Sequence, residues 1–288
     1  MFFQLVVTGL AVGCLYALIA LGFTIIFNAT EVINIAQGEF VMMGGFITFW
    51  LISNGIPAWG ALIITILAIG ALGIVIQRGL FQPAHKATVL NLVLITVGLV
   101  IVLPSFALIV WGAEAVSYEP FVTGALRVGG VVITWQSLIV ILLTLASMVG
   151  LYFLYQRTRL GQAMLATSIN KMAASAMGID VKLMTMISFG LAAAFGGLGG
   201  VIMTPIVPAY FGIGLAFTLK GFAAGMLGGL GSIPGALIGG LTLGILEALI
   251  TGYISSGYRD VVAMSIIILV LMLRPGGILG SRVVAEEL

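Results

Sequence analysis

Apolar stretches long enough to enter a lipid bilayer recur along the whole chain. They fall near residues 5–27, 39–53, 59–77, 89–111, 136–155, 184–206, 235–255 and 260–273. Crossing a bilayer as a helix takes about 20 apolar residues. A shorter glycine-rich run at 215–231 either crosses or re-enters, so the count is eight spans, or nine if that run crosses. Composition supports this. Of 288 residues, 61% are hydrophobic and only 7% charged, against roughly 25% charged in an average soluble domain. So few charges do not solvate a globular surface of this size, which excludes a soluble enzyme and a disordered chain. The 40 glycines follow no collagen period and suit helices packed closely in lipid. The expected fold is all-α and integral to the membrane, a single polytopic bundle over residues 1–288.

Basic residues set the expected sidedness, because cytoplasmic loops are rich in Lys and Arg. Arg78 and Lys86 flank one loop, Arg157, Arg159, Lys171 and Lys182 a second, and Arg274 and Arg282 lie in the C-terminal tail. One alternating topology puts all eight in the cytoplasm, with the C-terminus. Trp50, Trp59, Trp111 and Trp135 then fall at the outer interface, as an aromatic belt does. With nine crossings the N-terminus is outside; with a re-entrant 215–231 that assignment flips. Residues 1–4 have no basic n-region and 5–27 is too long for a signal-peptide core, so no cleavable signal is expected. Cys14 stands alone, which excludes an intrachain disulfide.

Several chemistries have no residues to carry them. None of the four lysines follows a glycine, so there is no P-loop. One histidine and one cysteine do not make a metal cluster. His85 sits in a basic loop and reads as a solvated interfacial residue. No catalytic residue, metal or nucleic-acid partner is expected; the partner that composition demands is the lipid bilayer.

The outer loop 112–134 carries Phe121-Val122-Thr123 and Val131-Val132-Ile133 around Gly129-Gly130, a pattern for a small periplasmic hairpin. It is either a cap on the bundle or a docking surface. Asn28, Glu31, Asn34, Gln37 and Glu39 form a polar insertion between two apolar runs. This is either a cytoplasmic loop or irregular backbone lining a translocation path or gate. Lys220 and Glu247 lie within apolar segments, where an ionisable group costs about 2.5–3.5 kcal/mol unless paired or wet. They are expected to face the interior, as a pair, unless Lys220 snorkels outward. Arg259 and Asp260 read as outer-surface charges. Gly228, Gly231, Pro234 and Gly235 mark a break with the dihedral freedom of a hinge.

In the inner loop 156–183, Ala, Leu and Met dominate residues 163–177, which predicts a helix. Ala163, Ala166, Ala173, Ala174 and Met177 share roughly one face at helical spacing, and Gly178 can cap it. This helix lies on its own bundle or docks into a partner's groove.

Ala173-Ala174, three residues, then Gly178 resembles the Glu-Ala-Ala…Gly coupling loop of ABC importer permeases, without its glutamate. Tyr16-Ala17-Leu18-Ile19-Ala20-Leu21-Gly22 resembles the first-helix signature of branched-chain amino acid permeases. Asn34-Ile35-Ala36-Gln37-Gly38-Glu39 is similar to their Asn-x-Ala-His-Gly segment, with Gln37 in place of histidine. Leu165-Ala166 stands where an Arg-Ala pair is common. The block from Leu227 through Gly231-Ser232-Ile233-Pro234-Gly235 to Gly240 is the most specific match, and Arg274-Pro275-Gly276-Gly277-Ile278-Leu279-Gly280 resembles their C-terminal end.

The resemblance covers nearly the whole chain in order. It implies an inner-membrane subunit of a bacterial or archaeal importer, working with a homologous second permease or a second copy, two cytoplasmic ATPases and a periplasmic binding protein. ATP and Mg would then sit on the ATPases, and no cofactor on this chain. Residues 163–180, Asn170 included, would be the coupling helix that receives ATPase motion. The implied cargo is a branched-chain or other small apolar amino acid. Urea, short amides or aromatic acids remain alternatives within the same machine. A stand-alone channel, a secondary transporter or a scaffold subunit are alternatives of other classes.

Overall fold

The structure, a computed structural model, describes residues 1–84, 87–128, 130–273 and 276–279. His85, Lys86, Gly129, Arg274, Pro275, Gly280 and Arg282, each named above, lie outside the described residues, as does the side chain of Arg259.

Eleven α-helices and one two-stranded sheet make up the described residues. Nine helices form one bundle: α1 (Phe2–Thr30), α2 (Gln37–Ser53), α3 (Ala58–Ile76), α4 (Val89–Trp111), α5 (Trp135–Arg157), α8 (Val181–Met203), α9 (Ile213–Gly228), α10 (Ile233–Tyr253) and α11 (Arg259–Leu273). Six of the described helices are long and apolar enough to cross a membrane; α2, α9 and α11 are shorter. One end carries the hairpin β1 (Ala125–Val128) and β2 (Val131–Thr134). The other carries the short helices α6 (Arg159–Ile169) and α7 (Lys171–Ala176).

α1 is the central post, buried over most of its length from Gly9 to Ile26. It is apolar all round, as a helix surrounded by protein is. Glycine sets how closely its neighbours approach. A Cβ on Gly244 of α10 would lie 2.4 Å from the backbone of Gly13, and one on Gly240 would lie 2.5 Å from Ala17 N. α2 lies as close to α8, where a Cβ on Gly200 would sit 2.0 Å from the Val41 carbonyl oxygen. α4 and α5 bury only a stripe each, and their other faces are exposed.

At the hairpin end, the loop before β1 and the first turn of α5 close over α8. Gln136 Nε2 donates to the Ile202 carbonyl at 2.7 Å, Ser117 to that of Thr204 at 3.1 Å, and the Tyr118 hydroxyl to that of Val201. These carbonyls belong to the last turn of α8, where intrahelical partners run out. Burial pushes the Tyr118 phenol above its ordinary pKa, so it stays a donor. The hairpin differs from the sequence expectation in its first strand, which begins at Ala125 and not at Phe121. Phe121 instead packs on Trp59, and its N–H is taken by Gln136 Oε1 at 3.1 Å, so Gly124 turns the chain at φ 105° before pairing starts. Gln4 of α1 grips Val132 with both amide atoms, at 2.9 and 2.8 Å.

Candidate functional site

The polar insertion is not a surface loop. α1 ends at Thr30, where Glu31 adopts φ 63°, and the chain returns to the middle of the bundle before α2 begins at Gln37. There Gln37 Nε2 donates to the carbonyl of Ala192, half-way along α8, at 2.8 Å. The first turn of α9 meets the first turn of α2: Gly38 N–H donates to Thr218 Oγ1 at 2.9 Å, and a Cβ on Gly214 would lie 2.1 Å from Glu39 Oε2. Two helix N-termini therefore overlap deep in the bundle. Their macrodipoles and first-turn N–H groups make this a favourable place for negative charge. Asn34, Gln37 and Glu39 are all buried, at 2%, 0% and 1% exposure. Asn34 Oδ1 accepts from Ala36 N–H, and Ile35 N–H donates to Thr96 Oγ1 of α4, so the irregular stretch is held on both sides. Gln37 Oε1 and both carboxylate oxygens of Glu39 make no hydrogen bond among the described residues. Asn28 lies lower, donating to the Gly231 carbonyl at 3.1 Å.

Lys220 and Glu247 form a separate cluster. Lys220 Nζ lies 2.6 Å from Glu247 Oε1 and 2.9 Å from Asp260 Oδ1, and the Tyr16 hydroxyl donates to Glu247 Oε2 at 2.5 Å. Four helices, α1, α9, α10 and α11, meet at these side chains. Lys220 therefore does not snorkel; a buried carboxylate and an exposed one hold it. The seven polar positions named from sequence thus divide, with Glu31 at the end of α1 pairing with Lys171. Asn34, Gln37 and Glu39 share one layer, Lys220 and Glu247 another, and Asn28 belongs to the α9–α10 turn.

That turn is pinned on several sides. Ser232 Oγ caps α10 by accepting from Gly235 N–H, and Pro234 sits in the first turn of α10. A Cβ on Gly228 would lie 1.9 Å from the Gly235 carbonyl oxygen. Gly231 has φ 89°, a conformation that glycine tolerates best. Ile278 and Leu279 N–H donate to the Leu227 and Gly228 carbonyls, both at 2.9 Å.

At the other face of this end, the expected single helix over 163–177 is two. Asn170 is extended and caps α7 with its side chain, accepting from Ala173 N–H at 2.9 Å. This local hydrogen bond competes with helix continuation. The break rearranges the expected face: Ala174 is buried and Ala163 and Ala166 half-buried, while Asn170, Ala173, Met177 and Gly178 are exposed. The uncovered apolar residues are Leu165, Ile169, Met172 and Met177, the last two at 83% and 85% exposure. Gly178 turns the chain at φ 84°. Lys171 anchors α7 to the end of α1 through Glu31 at 3.1 Å.

Residues 5–271 match the family described as branched-chain amino acid transport system / permease component. The chain belongs to that permease family. LivH, the high-affinity branched-chain amino acid transport system permease protein of Escherichia coli K12, is 33% identical over 97% of this chain and 96% of its own length. Its namesake in Salmonella typhimurium is 32% identical with the same coverage. BraD of Pseudomonas aeruginosa, a permease protein of the same description, is 33% identical over 97% of this chain and 96% of its own. Membership accords with a multi-pass protein of the inner membrane and with a transport role. Tyr16 and Asp260 join the ionic cluster of this permease; Asp260 lies at the edge of an apolar run, where a polar group must find a partner, whereas Tyr16 lies inside the run 5–27 and gives no such hint.

Proposed function

We propose that the chain is the membrane subunit of an ABC importer that carries branched-chain or other small apolar amino acids into the cytoplasm. The observation that supports this most is similarity over nearly the entire length to three permeases of branched-chain amino acid transport. In this reading the bundle crosses the membrane, with α2 and α9 starting in its interior. The hairpin end faces the periplasm, where a binding protein delivers cargo, and the α6–α7 end and C-terminus face the cytoplasm. A second permease, homologous or identical, completes the pathway. Two ATPases supply ATP and Mg chemistry from outside this chain.

The exposed Leu165, Ile169, Met172 and Met177 suit a partner groove, since methionine packs adaptably against another surface. Lys171–Glu31 then links α7 to the segment that leads into the Gln37–Glu39 layer. Motion of α7 is transmitted there as a shift of the irregular stretch. Glu39, without a hydrogen-bond partner among the described residues and lying at two helix N-termini, is the group this pathway offers to the ammonium of a passing zwitterion.

The test is ATP-driven uptake of radiolabelled leucine into proteoliposomes holding both permeases and both ATPases, with the binding protein added. Uptake is expected only with ATPases present. Met172→Asp with Met177→Asp should leave permease yield unchanged and abolish ATPase co-purification. Leucine flux without ATPases, or full uptake by that double variant, overturns the reading.

A further inference from the structure

A cleft of about 180 Å³ opens at the α6–α7 end, between α7, the end of α1, the start of α8 and the π-helical turn Gln77–Phe81 that ends α3. Its walls are of two kinds. Lys171, Lys182, Thr30 and Thr185 bring cations and hydroxyls, while Phe81 and Leu92 bring apolar surface. Lys171 is already engaged with Glu31, whereas Lys182 makes no ion pair among the described residues. Gln77 also lines the cleft; it is 4% exposed and its Oε1 accepts no hydrogen bond among the described residues. An unpaired buried acceptor is destabilising until a donor reaches it. A π-turn inserts one extra residue into a helix and occurs mostly at functional positions; here both of its end residues, Gln77 and Phe81, line the cleft.

These groups ask for a particular ligand. Lys182 requires an anionic oxygen. Gln77, at the cleft wall with an unsatisfied amide oxygen among the described residues, requires a donor. Phe81 and Leu92 require a short apolar body. Pockets for drug-sized ligands hold roughly 300–1,000 Å³, so a nucleotide is too large. We infer that this cleft is a binding site for a free small apolar amino acid on the side to which cargo is delivered. Its carboxylate would lie on Lys182 and its ammonium on Gln77. Because α7 forms one wall, occupancy ties α7 to α1 and α8 and slows the stroke that α7 transmits. The site would thus sense accumulated product. The inference rests on the cargo reading above for its physiological meaning, but not for the binding event.

Binding is measured on the full transporter in phosphatidylcholine nanodiscs, without binding protein or nucleotide, using radiolabelled L-leucine. Lys182→Gln and Gln77→Leu should each weaken binding at least tenfold, and Lys182→Arg should restore most of it. 4-Methyl-2-oxopentanoate, which lacks the ammonium, and isoamylamine, which lacks the carboxylate, should compete at least tenfold less well than leucine. In proteoliposomes preloaded with leucine, initial uptake by the wild type should fall several-fold, and uptake by Lys182→Gln should not. Absence of binding, or binding unchanged in both variants, overturns the site. Binding abolished in phosphatidylethanolamine nanodiscs assigns the cleft to a lipid headgroup and overturns the amino-acid assignment. Binding without any effect of internal leucine overturns the product-sensing role. Loss of leucine uptake in a protein that still binds leucine in the cleft counts against the cargo reading and leaves the site standing.

Discussion

The cluster at Lys220 makes an asymmetric prediction. Lys220 has two acidic partners, Glu247 at 2.6 Å and Asp260 at 2.9 Å. Glu247 has one cation among the described residues, plus the Tyr16 hydroxyl. Removing one member of a buried ion pair costs about 3–5 kcal/mol because the survivor is left uncompensated. Lys220→Met takes away the cation 2.6 Å from Glu247, which is 2% exposed, and should destabilise by about that amount. Glu247→Gln leaves Lys220 with Asp260, whose side chain is 79% exposed and well solvated, so about 1–2 kcal/mol is expected from the lost charge-assisted bonds. The double variant strands no buried charge. It should lie near the wild type, within about 1 kcal/mol, as buried pairs often do when both partners go. The assay is a double-mutant cycle read by reversible unfolding in mixed micelles, with folded yield as a second measure. A Glu247→Gln loss equal to that of Lys220→Met, or additive losses in the double variant, refutes the assignment of Asp260 as the second partner.

Other outcomes follow from the same geometry. Gly239→Ala places a Cβ 1.9 Å from the Ala224 carbonyl oxygen and should abolish folded yield in membranes, whereas Gly98→Ala meets nothing within 4 Å and should be neutral or gain up to about 1 kcal/mol from helix propensity. Gly235→Ala puts a Cβ 2.5 Å from the Gly228 carbonyl oxygen, so folded yield should fall together with uptake; loss of uptake alone would support a free hinge. Glu39→Leu removes a buried carboxylate that has no partner among the described residues; melting temperature should hold or rise while leucine uptake is lost, and a fall of several degrees would show that Glu39 is structural.

Much of this bundle is legible in the sequence because lipid permits few alternatives: the long apolar runs are the long helices, and small-xxx-small spacing at Gly240 and Gly244 marks where α10 touches α1. The pairing of Lys220 with Glu247 is legible for the same reason, since two lone charges in apolar helices have few other ways to be accommodated. What is not legible is which polar residues share a layer. Asn28 and Gln37 are nine positions apart and look like one insertion, but the turn at Glu31 sends one to the α9–α10 turn and the other to the middle of α8. The break at Asn170 is hidden as well. Helix propensity over 163–177 is high on both sides of it, and only a side chain that caps the next helix ends the first. The π-turn at Gln77 has no composition signal, because it depends on packing against α8.

The short stretch Gly276–Leu279 has a consequence for biogenesis. It supplies the N–H groups that satisfy the last carbonyls of α9, although α10 and α11 must be made in between. During insertion from the N-terminus, α9 therefore enters the membrane with an unfinished end. That end is sealed only once residues 276–279 have been made, so a nascent chain stopped before Gly276 should carry a loose α9–α10 corner open to quality-control proteases.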